Sequence, residues 1–406
     1  MLDRLGSLFG MIGSRGLDQI SLGLMSLLVA YRTGTTDFAP FATMFILYAL
    51  AGQVADLGLG FAILRTPADR RLATRAWSRR MILGLTIAAG GAALGAAVGG
   101  DSGVVLAFAG VTWLVGAAAY IGRAVLHWEG STGRLARGEA SGAVAFLLSV
   151  SALVHDVADL PLFAGLLIGK QVVEVVVQGL PRSVFAADGD PPVAGAVWIG
   201  QVLTYLTANV DYLLVGTLLG PEALSVYAIA FRIAAAFSSI VSTPLTRTAF
   251  VRFANATTLQ REHDGLGRQI AMFGVVGLAG TLAAAMALPV VLGPDWADTR
   301  PLTLLLGLVL PWRLMLGPVV GLATTTDQTA RVPLWEAGRM ALLASAILLW
   351  PTSPLTIAAA ASAATAVSIS AAYVLACRGA RLRWDPTVVG ATAIVVGGLV
   401  VAGATL

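Results

Sequence analysis

Residues 166 to 179 read LLIGKQVVEVVVQG, and Lys170 is the only lysine among the 26 basic residues of the chain. Glu174 follows at i+4, and Gln171 and Gln178 extend the same helical stripe. Ionisable groups in an apolar run can neutralise one another, hold an anion, or carry a proton or a monovalent cation. Other apolar runs offer the same chemistry: Asp18 with Gln19, Gln53 with Asp56 three residues on, Asn209 with Asp211, Arg232, and Arg313 just after Pro311. Arg232 and Arg313 have no acidic residue at i±3 or i±4, so both read as cations lining a cavity. Lys170 allows two readings. A lysine that precedes its glutamate by four is the weaker order for a helical pair, so the residue either pairs internally with Glu174, fixing helix rotation, or faces a cavity. Asp56, Glu174, Asp211 and Asp18 are the acids able to couple an ion.

Catalytic motifs do not account for these residues. GLLIGKQ (165 to 171) has three residues between its glycines and Gln171 where a phosphate-binding loop needs Ser or Thr. GLGFAI (58 to 63) lacks the third glycine of a dinucleotide fingerprint, and G-x-S-x-G and H-E-x-x-H do not occur. Cys377 is the single cysteine, and His127, His155 and His263 fall at span ends or in loops. No metal, no cofactor and no enzymatic activity are therefore expected.

The elements that must hold these groups are membrane spans. Hydrophobic residues make up 57% of the 406 and charged residues only 12%, against about 25% charged in a soluble domain; mean hydropathy is +0.83. Apolar runs long enough to cross a hydrocarbon core of about 30 Å recur throughout. Spans are expected at 16–33, 39–64, 81–100, 103–122, 139–154, 160–181, 196–219, 223–246, 269–292, 301–325, 333–350, 354–377 and 387–405. They lack the strict alternation of barrel strands, so the fold class is all-α and polytopic. With a cytoplasmic N-terminus, 21 of the 26 basic residues fall inside and only Arg32 and Arg300 outside. That distribution explains a pI of 9.6 without a nucleic-acid partner. The N-terminal MLDRLGSLFGMIGSRG, apolar at helical spacing, is expected to lie flat on the inner leaflet before the first span.

An internal repeat organises the spans. LLVAYRTGTTDFAPFATMF (27 to 45) aligns with LLVGTLLGPEALSVYAIAF (213 to 231), and Leu27, Leu28, Val29, Gly34, Ala42 and Phe45 recur. Six spans separate the copies, so orientation is kept and the repeat is parallel. The expected domains are an N-terminal six-helix lobe (1–185), a C-terminal six-helix lobe (196–380) and an accessory thirteenth helix (386–406), with a central cavity between the lobes.

GQVADLGLGFAILR (52 to 65), VDYLLVGTLLGPEALSVYAIAFRI (210 to 233) and LPVVLGPDWADTRPLTLLLGLVL (288 to 310) resemble the polysaccharide-flippase branch of the multidrug/oligosaccharidyl-lipid/polysaccharide exporter superfamily. The resemblance implies translocation of an undecaprenyl-pyrophosphate-linked oligosaccharide across a bacterial plasma membrane by alternating access. It implies that substrate and membrane lipids as partners, alongside glycan polymerases or glycosyltransferases of the same pathway. It also implies cationic cavity residues, for which Arg232 and Lys170 are the nearest positional counterparts and Arg313 a weaker one; Gln53 and Asn209 complete the expected cavity set. The near-absence of lysine departs from lysine-rich members and leaves the sugar open. Two alternatives stand beside this reading: a cation-coupled multidrug exporter of the same superfamily, which would favour an acidic cavity, and a membrane-embedded glycan polymerase or ligase, which would need a large outer loop.

Overall fold

The computed structural model describes residues 2–55, 70–128, 131–153, 159–179, 195–254, 256–326, 328–349 and 353–385, with 388, 391, 392 and 395 beyond them. Apart from short 3-10 turns, every regular element among these is an α-helix. They are α1 (Leu2–Asp37), α2 (Ala39–Ala55), α3 (Arg70–Val98), α4 (Gly100–Trp128), α5 (Thr132–Ala152), α6 (Leu160–Gln178), α7 (Gly195–Leu219), α8 (Pro221–Ala254), α9 (Leu259–Leu292), α10 (Thr299–Leu308), α11 (Leu310–Thr325), α12 (Val332–Leu349) and α13 (Pro354–Gly379). Eight helical stretches among the described residues meet the length and hydropathy of a membrane span. The protein is a multi-pass membrane protein.

The chain divides into two compact units, Met1–Tyr205 and Leu206–Leu406. In the first, α3 packs against α4, α5 against α1 and α6, and α4 also against α2 and α6. Gly91 meets Gly110 across the α3–α4 hairpin, the close backbone approach that small residues permit where lipid supplies no hydrophobic drive. In the second, α11 packs on α8 and α13, and α9 on α8 and α10.

Several helices begin earlier than hydropathy indicates. α5 starts at Thr132 rather than 139, α3 at Arg70 rather than 81, and α9 at Leu259 rather than 269. Their first turns carry charged residues such as Arg134, Arg137 and Glu139, which lower hydropathy without breaking a helix. The expected span 301–325 is two helices, since α10 ends at Leu308 and α11 begins at Leu310. Pro311 sits in the first turn of α11, where its missing N–H costs nothing and its ring would clash with a continued helix. The N-terminal segment is not a separate surface helix, because helical backbone runs from Leu2 into the first span and departs from helical geometry only at Gly34. Asp56 and most of the thirteenth span lie outside the described residues.

The repeat appears in the backbone. Gly34 (φ 74°), at a kink within α1, and Gly220 (φ 90°), between α7 and α8, both take positive φ at the aligned position. Equivalent positions share burial: Val29 and Val215 are each 0% exposed, and Phe41 and Tyr227 are 4% and 0%. Replacing Gly220 by Ala should cost about 1–2 kcal/mol, because a Cβ disfavours this backbone region. Gly169→Ala, in regular helix with open space around it, should cost nothing. Thermal unfolding in detergent checks both; an equal midpoint for the two variants would show that the turn does not need glycine.

Candidate functional site

In α6 the helix boundaries are set locally. Asp159 caps its start by accepting from the Leu162 N–H at 2.8 Å, and Gly179 ends it with φ 65°. Between these points the buried face runs Leu160, Phe163, Ala164, Leu167, Lys170, Gln171, Glu174 and Gln178, apolar in the first half and polar in the second. The opposite face exposes Val172, Val176 and Val177. The polar half therefore turns inward and the apolar face outward, the arrangement a lipid solvent demands.

Lys170, 2% exposed, forms ion pairs with both Asp18 of α1 and Glu174 of its own helix. Arg123 of α4 pairs with the other oxygen of Glu174, and Arg15 pairs with Asp18 at 2.9 Å. Beside them Ser14 donates to Glu139 Oε2 at 2.9 Å. Formally these side chains carry three positive and three negative charges, so the cluster closes on itself. α5 makes room for it with glycine: a Cβ at Gly142 would meet the Glu174 side chain, and one at Gly138 the Gln178 side chain. Toward the start of α6, Phe163 packs edge-on against Phe41 and Phe45, each at 5.1 Å between ring centroids, and covers the charges with an apolar layer.

The structure thus brings together three residues singled out in the sequence, Asp18, Lys170 and Glu174, as an internal network. Arg15 and Arg123 complete it. Both read in the sequence as charges at the inner membrane surface. Arg15 sits three residues before Asp18, a local signal of pairing; Arg123 is 51 residues from its partner and gives none. Gln53 lies in α2, and Asp56 outside the described residues.

The second unit holds a different arrangement. Asp211 of α7, 2% exposed, accepts from the Tyr227 hydroxyl at 2.6 Å and from the Tyr212 N–H at 2.9 Å. Tyr227 stacks with Phe231, and Tyr212 meets both rings edge-on. Arg313 of α11 sets its guanidinium carbon 5.3 Å from the centroid of the Phe231 ring, a cation–π contact. Among the described residues neither Asp211 nor Arg313 has an ion-pair partner within 4.0 Å. Asn209 and Arg232 are half-buried on α7 and α8 of this unit. In α12, Arg339 and Glu336 form a buried pair at 2.9 Å. No group of three or more metal-ligating side chains occurs among the described residues.

A guanidinium on an aromatic face keeps its in-plane N–H groups directed outward, which suits it to an oxyanion. A buried carboxyl held only by neutral donors can gain or lose a proton without breaking an ion pair. The second unit therefore has the freer chemistry.

Comparison with known proteins agrees with this architecture. Residues 194–301 match the family described as Polysaccharide biosynthesis protein. No curated protein matches the chain. Among solved structures, the lipid II flippase MurJ in an inward closed conformation superposes with a TM-score of 0.69 at 8% identity, covering 99% of this chain and 92% of that one. An outward-facing multidrug resistance MATE family transporter of the MOP superfamily gives 0.65 at 12% identity, over 92% and 96%. A MOP superfamily transporter from Pyrococcus furiosus, whose binding pocket is described as reversed in polarity, gives 0.63 at 14%, over 93% and 96%. The chain has the fold of the MOP-superfamily transporters, and the resemblance drawn from its sequence stands.

Replacing Lys170 by Met should destabilise the protein by about 3–5 kcal/mol, since two carboxylates lose their shared cation. The triple variant Asp18→Asn/Lys170→Met/Glu174→Gln should recover most of that loss. Unfolding midpoints in detergent test this; equal losses in single and triple variants would contradict the closed network.

Proposed function

We propose that this membrane protein translocates an undecaprenyl-pyrophosphate-type lipid-linked oligosaccharide across a bacterial plasma membrane by alternating access, with its N-terminus cytoplasmic, for cell-surface polysaccharide biosynthesis. The observation that carries this reading is where the polysaccharide-biosynthesis match falls. Residues 194–301 contain Asn209, Asp211 and Arg232, on a fold shared with a lipid II flippase. In this reading Arg313 and Arg232 attract the pyrophosphate, with Asn209 beside them. Arg313, held on the Phe231 face, is suited to this by the planar guanidinium, which pairs its N–H groups with phosphate oxygens. Asp211 is the foremost candidate for coupling a proton or a cation, because among the described residues its hydrogen bonds come from neutral donors and the Arg313 charge acts on it only from beyond ion-pair distance. Lys170, Asp18 and Glu174 support the first unit from within rather than touching substrate. The protein moves its substrate without making or breaking bonds in it, and the polymerases or glycosyltransferases of the pathway supply or consume that substrate.

The multidrug-exporter reading has the likeness to MATE structures in its favour, and that likeness extends to the fold alone. Arg313 and Arg232, set in the same unit as Asp211, weigh against a cationic cargo.

Replacing Arg313 and Arg232 together by Gln should lower surface glycan at least about tenfold at equal protein in the membrane, the loss expected for charge-assisted hydrogen bonds worth about 1.5–3 kcal/mol. Arg313→Lys should retain part of the activity, since lysine keeps the charge and loses the planar fork. Undiminished glycan in the double variant would sink the proposal.

A further inference from the structure

We propose that a second ligand site lies within the second unit: a cavity for one anionic phospholipid, at the end where α9 begins and α13 ends. This rests on the chain being a membrane protein and not on the flippase reading. The cavity has a volume of about 650 Å³, within the ~300–1,000 Å³ of sites that hold small ligands. Its deep wall is hydrocarbon, from Leu266 and Ile270 of α9, and Met315, Val319 and Leu322 of α11. Val388 and Ala391 of the chain following α13 close one side. Trp312 forms part of the wall, and its indole N–H is held by Ser370 and Thr392 at 2.9 and 3.0 Å. The second of these bonds ties Thr392 to α11. An acyl chain suits such a wall; a sugar or a nucleotide does not.

The mouth is polar, with His263, Asp264, Arg268 and Asp385, and a basic surface adjoins it. Arg261, Arg268, Arg378, Arg381 and Arg383 are all exposed at this end, against the exposed carboxylates of Asp264 and Asp385. The two stretches are joined where the Arg383 N–H donates to the Gln260 side chain, Oε1, at 2.9 Å. Arg381 has φ 56°, the only non-glycine among the described residues with positive φ. Its N–H bonds the Arg378 carbonyl at 3.1 Å while the Leu382 N–H bonds that of Cys377, so it is the left-handed residue that closes α13. An apolar chamber beside an excess of exposed arginines matches a lipid whose headgroup carries net negative charge. A zwitterionic lipid offers the arginines no net charge.

Bromine on an acyl chain quenches a nearby indole, so Trp312 reports occupancy directly. Purified protein in micelles is titrated with dibrominated phosphatidylglycerol or dibrominated phosphatidylcholine. The anionic lipid should quench a saturable component at about tenfold lower mole fraction than the zwitterionic one. Trp312→Phe should remove that component. The variant Arg268→Gln/Arg378→Gln/Arg381→Gln/Arg383→Gln should bring the two lipids level; all four changes are on the surface, and an unchanged size-exclusion profile confirms its folding. Native mass spectrometry of wild type and this variant should show phosphatidylglycerol retained only by the first. Equal quenching by the two lipids, or quenching indifferent to the four arginines, would overturn the site. Displacement of the brominated lipid by a polyprenyl phosphate more readily than by unbrominated phosphatidylglycerol would overturn it too, by assigning the cavity to a substrate tail. Because the readout is binding, a failed glycan-export test leaves this result unaffected.

Discussion

A cation inside a membrane-spanning helix must be neutralised, and the pairing of Lys170 with Asp18 and Glu174 sets the terms for the whole first unit. For α6 to bury its polar half, α5 must present glycine where Glu174 and Gln178 arrive, which it does at Gly142 and Gly138. For Asp18 to reach Lys170, α1 must already be helical where a sequence reading ends an amphipathic surface segment. Arg15 and Ser14 are then carried inward as well, Arg15 onto Asp18 and Ser14 onto Glu139. Arg123 is drawn to the second oxygen of Glu174. Four helices are thus fixed in rotation by one buried electrostatic requirement.

The second unit repeats the scaffold and changes the chemistry. Gly34 and Gly220 both take positive φ, and Phe41 and Phe45 align with Tyr227 and Phe231. In the first unit these rings meet Phe163 in an apolar layer. In the second, the added hydroxyl of Tyr227 finds Asp211, and Phe231 takes the guanidinium of Arg313 on its face. A ring that only packs in one copy positions polar groups in the other. Phe41 and Tyr227 are both buried, since burial depends on shape, while the polar contacts differ because each depends on single atoms.

The same distinction explains what the sequence could reveal. Helix existence and order were legible because twenty apolar residues in a row have few alternatives. The turn at Gly220 was legible through its copy at Gly34. Helix starts were not, since charged first turns at Arg134–Glu139 or Arg261–Arg268 have the composition of a loop and the backbone of a helix. Lys170 with Glu174 was legible as a pair because both sit on one helical face; Asp18 and Arg123 were not, because nothing local ties them to α6. Trp312 gave no sign of its bonds to Ser370 and Thr392, which join segments 58 and 80 residues distant.

The contrast between the units bears on how such a molecule could work. Rearranging a saturated ion-pair cluster leaves at least one charge uncompensated in low dielectric, at a cost of about 3–5 kcal/mol. Exchanging the partner of a carboxyl held by a tyrosine hydroxyl and a backbone N–H involves only hydrogen bonds worth about 1–3 kcal/mol each. A transport cycle needs states within a few kcal/mol of one another. Polar groups that change partners during the cycle are therefore better placed at Asp211 and Arg313 than at Lys170. The first cluster holds its helices in register. The lone lysine then has a physical rationale: a compact ammonium reaches two carboxylates from different helices at a single point, where the planar fork of arginine would spread over a wider arc.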